Sequence, residues 1–418
     1  MKNNYDIDLS IMPKEFRLIV EIMKMENDKS TVSFNSKLLT DIDWELFLQL
    51  TRHHRVYPLI YSKLKKLDEK WIPSHVIQTL YQEFKENTLQ MLLLSGEMEQ
   101  VSKIFIEHQI RILFLKGPVI AADLYGDISL RTSKDLDILI SINDLEKADK
   151  LLINLGYNKV VVPTAMTHWK WREHHISYIH PKKLINIEVH WRLHPAPSNE
   201  PIFNDLWERK RTSTLTTYPV FFFSEEDLYL YLVAHGSRHG WFRLRWLIDI
   251  DKIVKKSIHL KRSDNPLKIY QYQHLGKQAH HLESHALILA STLLNTPIGE
   301  EMETITVGQR SRSLIRMSLF YINEMAHLQT TNPENDLAKY NKRYLLSLVS
   351  NIKKTFIVNR YQFLLKANNL QKLMFIITLF FFPSSFDVES FKLPKHLQFL
   401  YFPLRPFIWA WRKTKKPI

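Results

Sequence analysis

The stretch that constrains this chain most is residues 111 to 140, RILFLKGPVIAADLYGDISLRTSKDLDILI. Its apolar runs deliver charged residues to what the pattern marks as strand ends. Ile112 to Leu115 is short, apolar and β-prone, and it closes at Lys116-Gly117-Pro118, a turn signal. Val119 to Tyr125 suits a short helix, with Pro118 in its first turn, where the missing N–H costs nothing. From Asp135 the residues alternate, Asp135 and Asp137 on one face and Leu136 and Ile138 on the other, before Leu139-Ile140. Side chains two apart on a strand point the same way and lie about 6.6 to 7 Å apart, so two carboxylates share a face.

Like charges at that separation raise each other's pKa unless a cation lies between them. A divalent ion meets that need, and oxygen-only ligands favour Mg²⁺ or Mn²⁺ over zinc. A third carboxylate is found in LINIEVHW, residues 184 to 191, where Asn186, Glu188 and His190 share one strand face.

These residues, taken in order, resemble a known family. Leu-Lys-Gly at 115–117, Tyr125, Arg-x-Ser-x-Asp-Leu-Asp at 131–137 and Ile-Glu-Val-His-Trp at 187–191 are similar to the uncharacterised nucleotidyltransferase family of the polymerase-β-like superfamily. Trp44 to Leu64 resembles that family's N-terminal helical part, and Ala234-His235-Gly236 through Trp246-Leu247-Ile248-Asp249 its downstream helical part, so the resemblance covers roughly residues 40 to 255. It implies an α+β fold, a small mixed-sheet nucleotidyltransferase core with helical regions on either side. The expected division is 1–108 N-terminal helical region, 109–222 core, 223–382 C-terminal helical domain and 383–418 basic aromatic tail.

Carried over residue by residue, the resemblance makes Asp135, Asp137 and Glu188 the catalytic metal carboxylates, with Mg²⁺ or Mn²⁺ as cofactor. Lys116 and Gly117 would face the triphosphate of an NTP substrate, Gly117 because a Cβ would hold the backbone off the phosphates. Arg131 and Ser133 would add phosphate contacts, although Arg131 also suits a structural pairing with Asp127 or Asp135. Two departures stand out. Better-known superfamily members carry Gly-Ser or Gly-Gly where this chain has Gly117-Pro118, which removes one backbone N–H, and Glu188 stands where Asp is common.

The chain has 418 residues, enough for two or three packed units, and its composition, 45% hydrophobic and 24% charged, is that of a globular protein. With no cysteine, disulfides and thiolate metal sites are excluded, which fits a reducing cytoplasm. The N-terminus, MKNNYDIDLSIMPKEF, has no apolar run of signal-peptide length. A net charge of +14 favours polyanionic partners, namely nucleotides, nucleic acid or an anionic membrane surface, without choosing among them.

Elsewhere the patterns point to scaffold. Asp41 to Lys66 reads as a helix pair interrupted at Pro58, and Pro73 opens a long helix reaching about Gln109. Leu80, Phe84, Leu89, Leu92, Leu93 and Met98 are expected to form its buried face. Asn143 to Leu155 is an amphipathic helix ended by Gly156, and Lys159 to Val162 a short strand. Residues 164 to 180 are rich in His and Trp and read as a strand pair rimming the site, with Trp169 and Trp171 either packing or stacking on a base. The spacing of His168, His174, His175 and His180 matches no zinc pattern.

Ser224-Glu225-Glu226-Asp227 starts a helix, with a cap and an acidic first turn. His235, Arg243, Arg245 and Asp249 form either a second wall of the nucleotide cleft or a salt-bridged helix junction. Leu373 to Phe382 is too short to span a bilayer, which takes about 20 residues, and reads as a buried helix end. The tail, LPKHLQFLYFPLRPFIWAWRKTKKPI, mixes aromatics with Arg405, Arg412, Lys413, Lys415 and Lys416 and suits peripheral contact with an anionic membrane or docking of a partner.

The activity implied is transfer of a nucleoside monophosphate from an NTP to an acceptor, with pyrophosphate released. The resemblance implies relatives encoded beside genes for lasso-type peptides, so a peptide or small molecule is one acceptor class and tRNA another. The competing reading is a peptide- or membrane-binding module that keeps the fold without catalysis.

Overall fold

In the computed structural model, residues 9–10, 12–25, 40–66, 71–160, 173–195, 200–259, 280–298, 309–327, 352–366 and 368–414 are described. The fold is α+β, as expected. Seven strands form one mixed sheet in the order β3-β4-β5-β2-β1-β7-β6. They are β1 (Ile112–Phe114), β2 (Asp135–Ile140), β3 (Asn158–Lys159), β4 (His175–Ile179), β5 (Asn186–His190), β6 (Arg211–Ser213) and β7 (Val220–Phe222). β1 pairs antiparallel with β2 and parallel with β7, while β2 pairs parallel with β5. Every residue of β1 and all of β2 after Asp135 is buried, the pattern of central strands covered on both faces.

The connection from β1 to β2 follows the expected sequence signals. The helix Pro118–Tyr125 is entered through Gly117 at φ 90° and left through Gly126 at φ 71°. The helix pair is Trp44–His53 and Tyr57–Leu64, but its break lies before Pro58. Pro58 sits in the first turn of the second helix, where no N–H is needed, and Arg55 takes the positive φ that turns the chain.

The long helix Ser74–Glu107 buries a different face from the one expected. Val76, Leu80, Met91, Leu94, Met98, Val101 and Phe105 are buried, whereas Leu89, Leu92 and Leu93 are exposed, Leu89 by 60%. At about 100° per residue, Leu89 and Leu93 lie roughly 200° round from Met91, so a row through Met91 cannot include them. One contiguous apolar cluster runs from Met12 through the sheet to Ile322 and buries these helices together.

The run at 373–382 is also corrected. It lies in the helix Asn369–Phe381, which has no buried residue. Of the expected strand at 159–162, residues 158–159 are paired and 161–162 lie outside the described residues, as do His168, Trp169 and Trp171.

Candidate active site

The parallel register of β2 and β5 builds the site. Asp135 stands opposite Asn186, Asp137 opposite Glu188 and Leu139 opposite His190. The same-face acids of one strand are thereby brought against the same-face Asn, Glu and His of the next. Lys116 arrives from the other side. The Leu115 N–H donates to the Asp137 carbonyl at 2.8 Å, extending the β1–β2 ladder and placing the next side chain over the acids. Lys116 Nζ lies 3.1 Å from Asp137 Oδ1. His190 Nε2 lies 3.3 Å from the same oxygen and 3.5 Å from Glu188 Oε2.

Burial would raise the Asp137 carboxyl, whose side chain is 1% exposed, but the Lys116 charge and the His190 hydrogen bond outweigh it and hold Asp137 well below the usual range. Burial would lower Lys116 and His190, and their carboxylate neighbours raise both instead. Asp135, buried beside Asp137 and offset less by Lys116, is pushed up. Two adjacent acids therefore have opposite shifts, an arrangement common at functional sites.

Oxygen and nitrogen atoms of Asp137, Glu188 and His190 come within 4.8 Å of one another, close enough to share one ion. Asp137 Oδ2, Asn186 Oδ1 and His190 Nδ1 are buried without a hydrogen-bond partner. Unpaired buried acceptors are costly, so this donor set fits a divalent cation. Asp135 shares the face but lies outside the tight group.

Three other predicted residues have specific placements. Gly117 is needed for its backbone: a Cβ would meet Leu136 at 3.6 Å and Asp135 O at 3.7 Å, ordinary contacts, while φ 90° disfavours any side chain. The Ser133 hydroxyl donates to the Asp135 carbonyl at 3.1 Å and shapes the entry to β2. Arg131 does not face the cleft. Its Nε and Nη2 donate to Asp249 Oδ1 and Oδ2, each at 2.9 Å, with Arg131 2% and Asp249 0% exposed. Tyr125 also donates to Asp249 at 2.7 Å, and Arg245 donates to the Thr132 carbonyl. The expected phosphate contact is corrected to a helix-junction pair, because turning the guanidinium outward would leave a buried carboxylate unpaired. Of the two readings of the 235–249 segment, Arg245 and Asp249 take the junction.

His235 and Tyr231, on the helix Glu225–Arg238, both feel the Lys116 charge. Both are buried, the lowered pKa of His235 comes from burial and then the Lys116 charge, and burial pushes Tyr231 up to about 12.

Sequence reasoning missed Arg238 and the role of the histidines. Arg238 Nη1 lies 3.4 Å from His174 Nε2, its Nε has no partner, and the charges of Glu188 and Asp137 bear on it. His174, His175 and His190 bring their rings within 4.5 to 5.4 Å of one another and form a second group able to share an ion. His180, from the same stretch, instead accepts backbone N–H groups of Lys182 and Lys183. The available signal was the alternation of β5, which puts His190 on the Glu188 face.

The profile of a family described as uncharacterised nucleotidyltransferase matches residues 40–292. A crystal structure of an antigenic nucleotidyltransferase-like protein from Paracoccidioides brasiliensis is similar at 16% identity and a TM-score of 0.31, covering 49% of this chain and 93% of that one. No curated protein matches. With more than half of its length matched, the chain belongs to the uncharacterised nucleotidyltransferase family.

Proposed function

We propose that this chain is a metal-dependent nucleotidyltransferase that moves a nucleoside monophosphate from an NTP to an acceptor hydroxyl. The acceptor oxygen bonds to the α-phosphorus, the α–β phosphoanhydride bond breaks, and pyrophosphate leaves. The observation that carries this reading is the pairing of Asp137 with Glu188 under the Lys116 ammonium.

Asp135, Asp137 and Glu188 would hold Mg²⁺ or Mn²⁺, with His190 adding a nitrogen donor that favours Mn²⁺. A divalent ion there supplies charge stabilisation for the triphosphate and acidifies the acceptor hydroxyl. The chain's own residues do the rest. Lys116, in contact with Asp137, and Arg238, within reach of the charges of Glu188 and Asp137, offer cations to the triphosphate. Gly117 turns the β1 end toward the cleft, and Ser133 fixes the Asp135 backbone. The acceptor is a peptide, a small molecule or tRNA.

Incubation with α-labelled NTPs, a divalent ion and a host lysate tests this reading. One acceptor class should take label with release of pyrophosphate, while γ-labelled NTP labels nothing. Transfer of the γ-phosphate would make the protein kinase-like. NTP binding without labelling of any acceptor would favour a non-catalytic binding module.

A further inference from the structure

The C-terminal helices carry an exposed apolar surface made of none of the residues assigned to the candidate site. In the helix Asn369–Phe381, nine of thirteen residues are Leu, Met, Ile or Phe, yet none is buried. Leu370, Leu373, Ile377 and Phe381 are exposed at i, i+3, i+7 and i+11, so they form one stripe along the helix. In the helix Tyr401–Thr414, Phe407 is 71% exposed and Trp411 follows it four residues on. The two helices are tied together. Arg405 donates to the Leu379 carbonyl and lies 3.5 Å from Asp387, and the Phe382 and Phe402 rings lie 5.1 Å apart. Tyr401 and Ile408 form a small apolar cluster of their own, outside the main core.

Charge is concentrated in the same part of the chain. From Leu337 to Ile418 there are fifteen Lys and Arg against two acids, Asp387 and Glu389, while residues 1 to 336 carry 42 basic and 41 acidic residues. Almost the whole excess of +14 therefore belongs to the last fifth of the sequence. Asp387 is fully buried as the cap partner of Ser384, which leaves Glu389 as the remaining acid of that segment.

We infer that the face made by the helices 369–381 and 401–414 docks on an anionic lipid surface. A bilayer interface accepts an apolar stripe and attracts a basic one, and Trp is favoured at that depth. Among the described residues no helix is long and apolar enough to cross a membrane, so the contact is peripheral. A second copy of the chain is disfavoured because it would bring two strongly basic segments together. Nucleic acid would satisfy the charge but leave Leu370, Leu373 and Ile377 without apolar cover.

The test is sedimentation of the full chain with phosphatidylcholine vesicles, with and without phosphatidylglycerol. Binding is expected only with the anionic lipid and should weaken by about tenfold or more as salt is raised. Phe380→Ser combined with Phe407→Ser changes two exposed positions, so it should keep the melting temperature and weaken binding by about tenfold. Lys413→Glu with Lys415→Glu and Lys416→Glu should do the same. Equal binding to neutral vesicles, no binding to either, self-association without vesicle binding, or binding to an RNA homopolymer but not to vesicles would each overturn the inference. The readout involves no nucleotide and is independent of whether transfer occurs.

Discussion

Asp137 on β2 stands directly across a parallel strand pair from Glu188 on β5, and His190 Nε2 lies within 3.5 Å of an oxygen of each. This relation makes Asp137 both a functional and a structural residue, because its carboxylate also holds the Lys116 ammonium. Asp137→Asn should reduce transfer by about 10²-fold or more and abolish Mn²⁺ binding measured by calorimetry. It should also cost about 2 kcal/mol of stability, less than a fully buried unpaired charge, because Lys116 keeps some solvent contact. Asp135→Asn, outside the tight group, should lose transfer with little change in denaturation midpoint. If Asp137→Asn binds Mn²⁺ as tightly as the parent does, the ion is held elsewhere.

Glu283, on the helix His280–Leu294, gives a pH dependence remote from the site. Burial pushes its carboxyl up to about 7, against an ordinary value of 4.5. The folded chain then binds this proton more tightly than the unfolded chain, so its stabilising effect is complete below 4.5 and is lost as pH rises toward 7. Glu283→Gln cannot ionise and should flatten that fall. At about pH 8 the variant should exceed the parent in urea-unfolding stability by up to about 3 kcal/mol, with little difference at about pH 4. Parallel stability curves for the two proteins would refute the assignment.

The acidic strand and its partner were legible because a period of two fixes which side chains share a face, and the fold follows from how those faces meet. The role of Arg131 was not legible. Its carboxylate partner is Asp249, 118 positions away on another element, and only tertiary packing decides that the guanidinium turns inward. The same limit explains the Ser74–Glu107 helix, where Leu89, Leu92 and Leu93 have the composition of a core but the phase of a surface. His175 on β4 and the preceding His174 meet His190 on β5, so their grouping depends on strand register and not on spacing along the chain.

Two glycines in helices separate close packing from propensity. An ideal Cβ on Gly236 would run into the fully buried ring of Trp241, while one on Gly96 meets nothing within 4 Å. Gly236→Ala should therefore destabilise by about 3 kcal/mol, and Gly96→Ala should stabilise by about 0.5 to 1 kcal/mol through helix propensity. Thermal melts of both variants check the pair. Equal and small effects would show that the helix Glu225–Arg238 does not approach Trp241 this closely.

Arg131 and Arg238 should behave oppositely when replaced. Arg131→Lys replaces a bidentate buried fork with a point charge that cannot satisfy both Asp249 oxygens, so stability should fall by about 3 kcal/mol. NTP affinity of the molecules that remain folded should hold. Arg238 is half-buried, its Nε has no hydrogen-bond partner, and the charges of Glu188 and Asp137 act on it. Arg238→Ala should weaken NTP binding by about 1.5 to 3 kcal/mol, the worth of a hydrogen bond to a charged group, while shifting the melting temperature little. Fluorescent-NTP titration alongside melts separates the two effects. An Arg131→Lys protein that folds normally but binds NTP weakly would return Arg131 to the phosphate side and remove Arg238 from the role proposed for it.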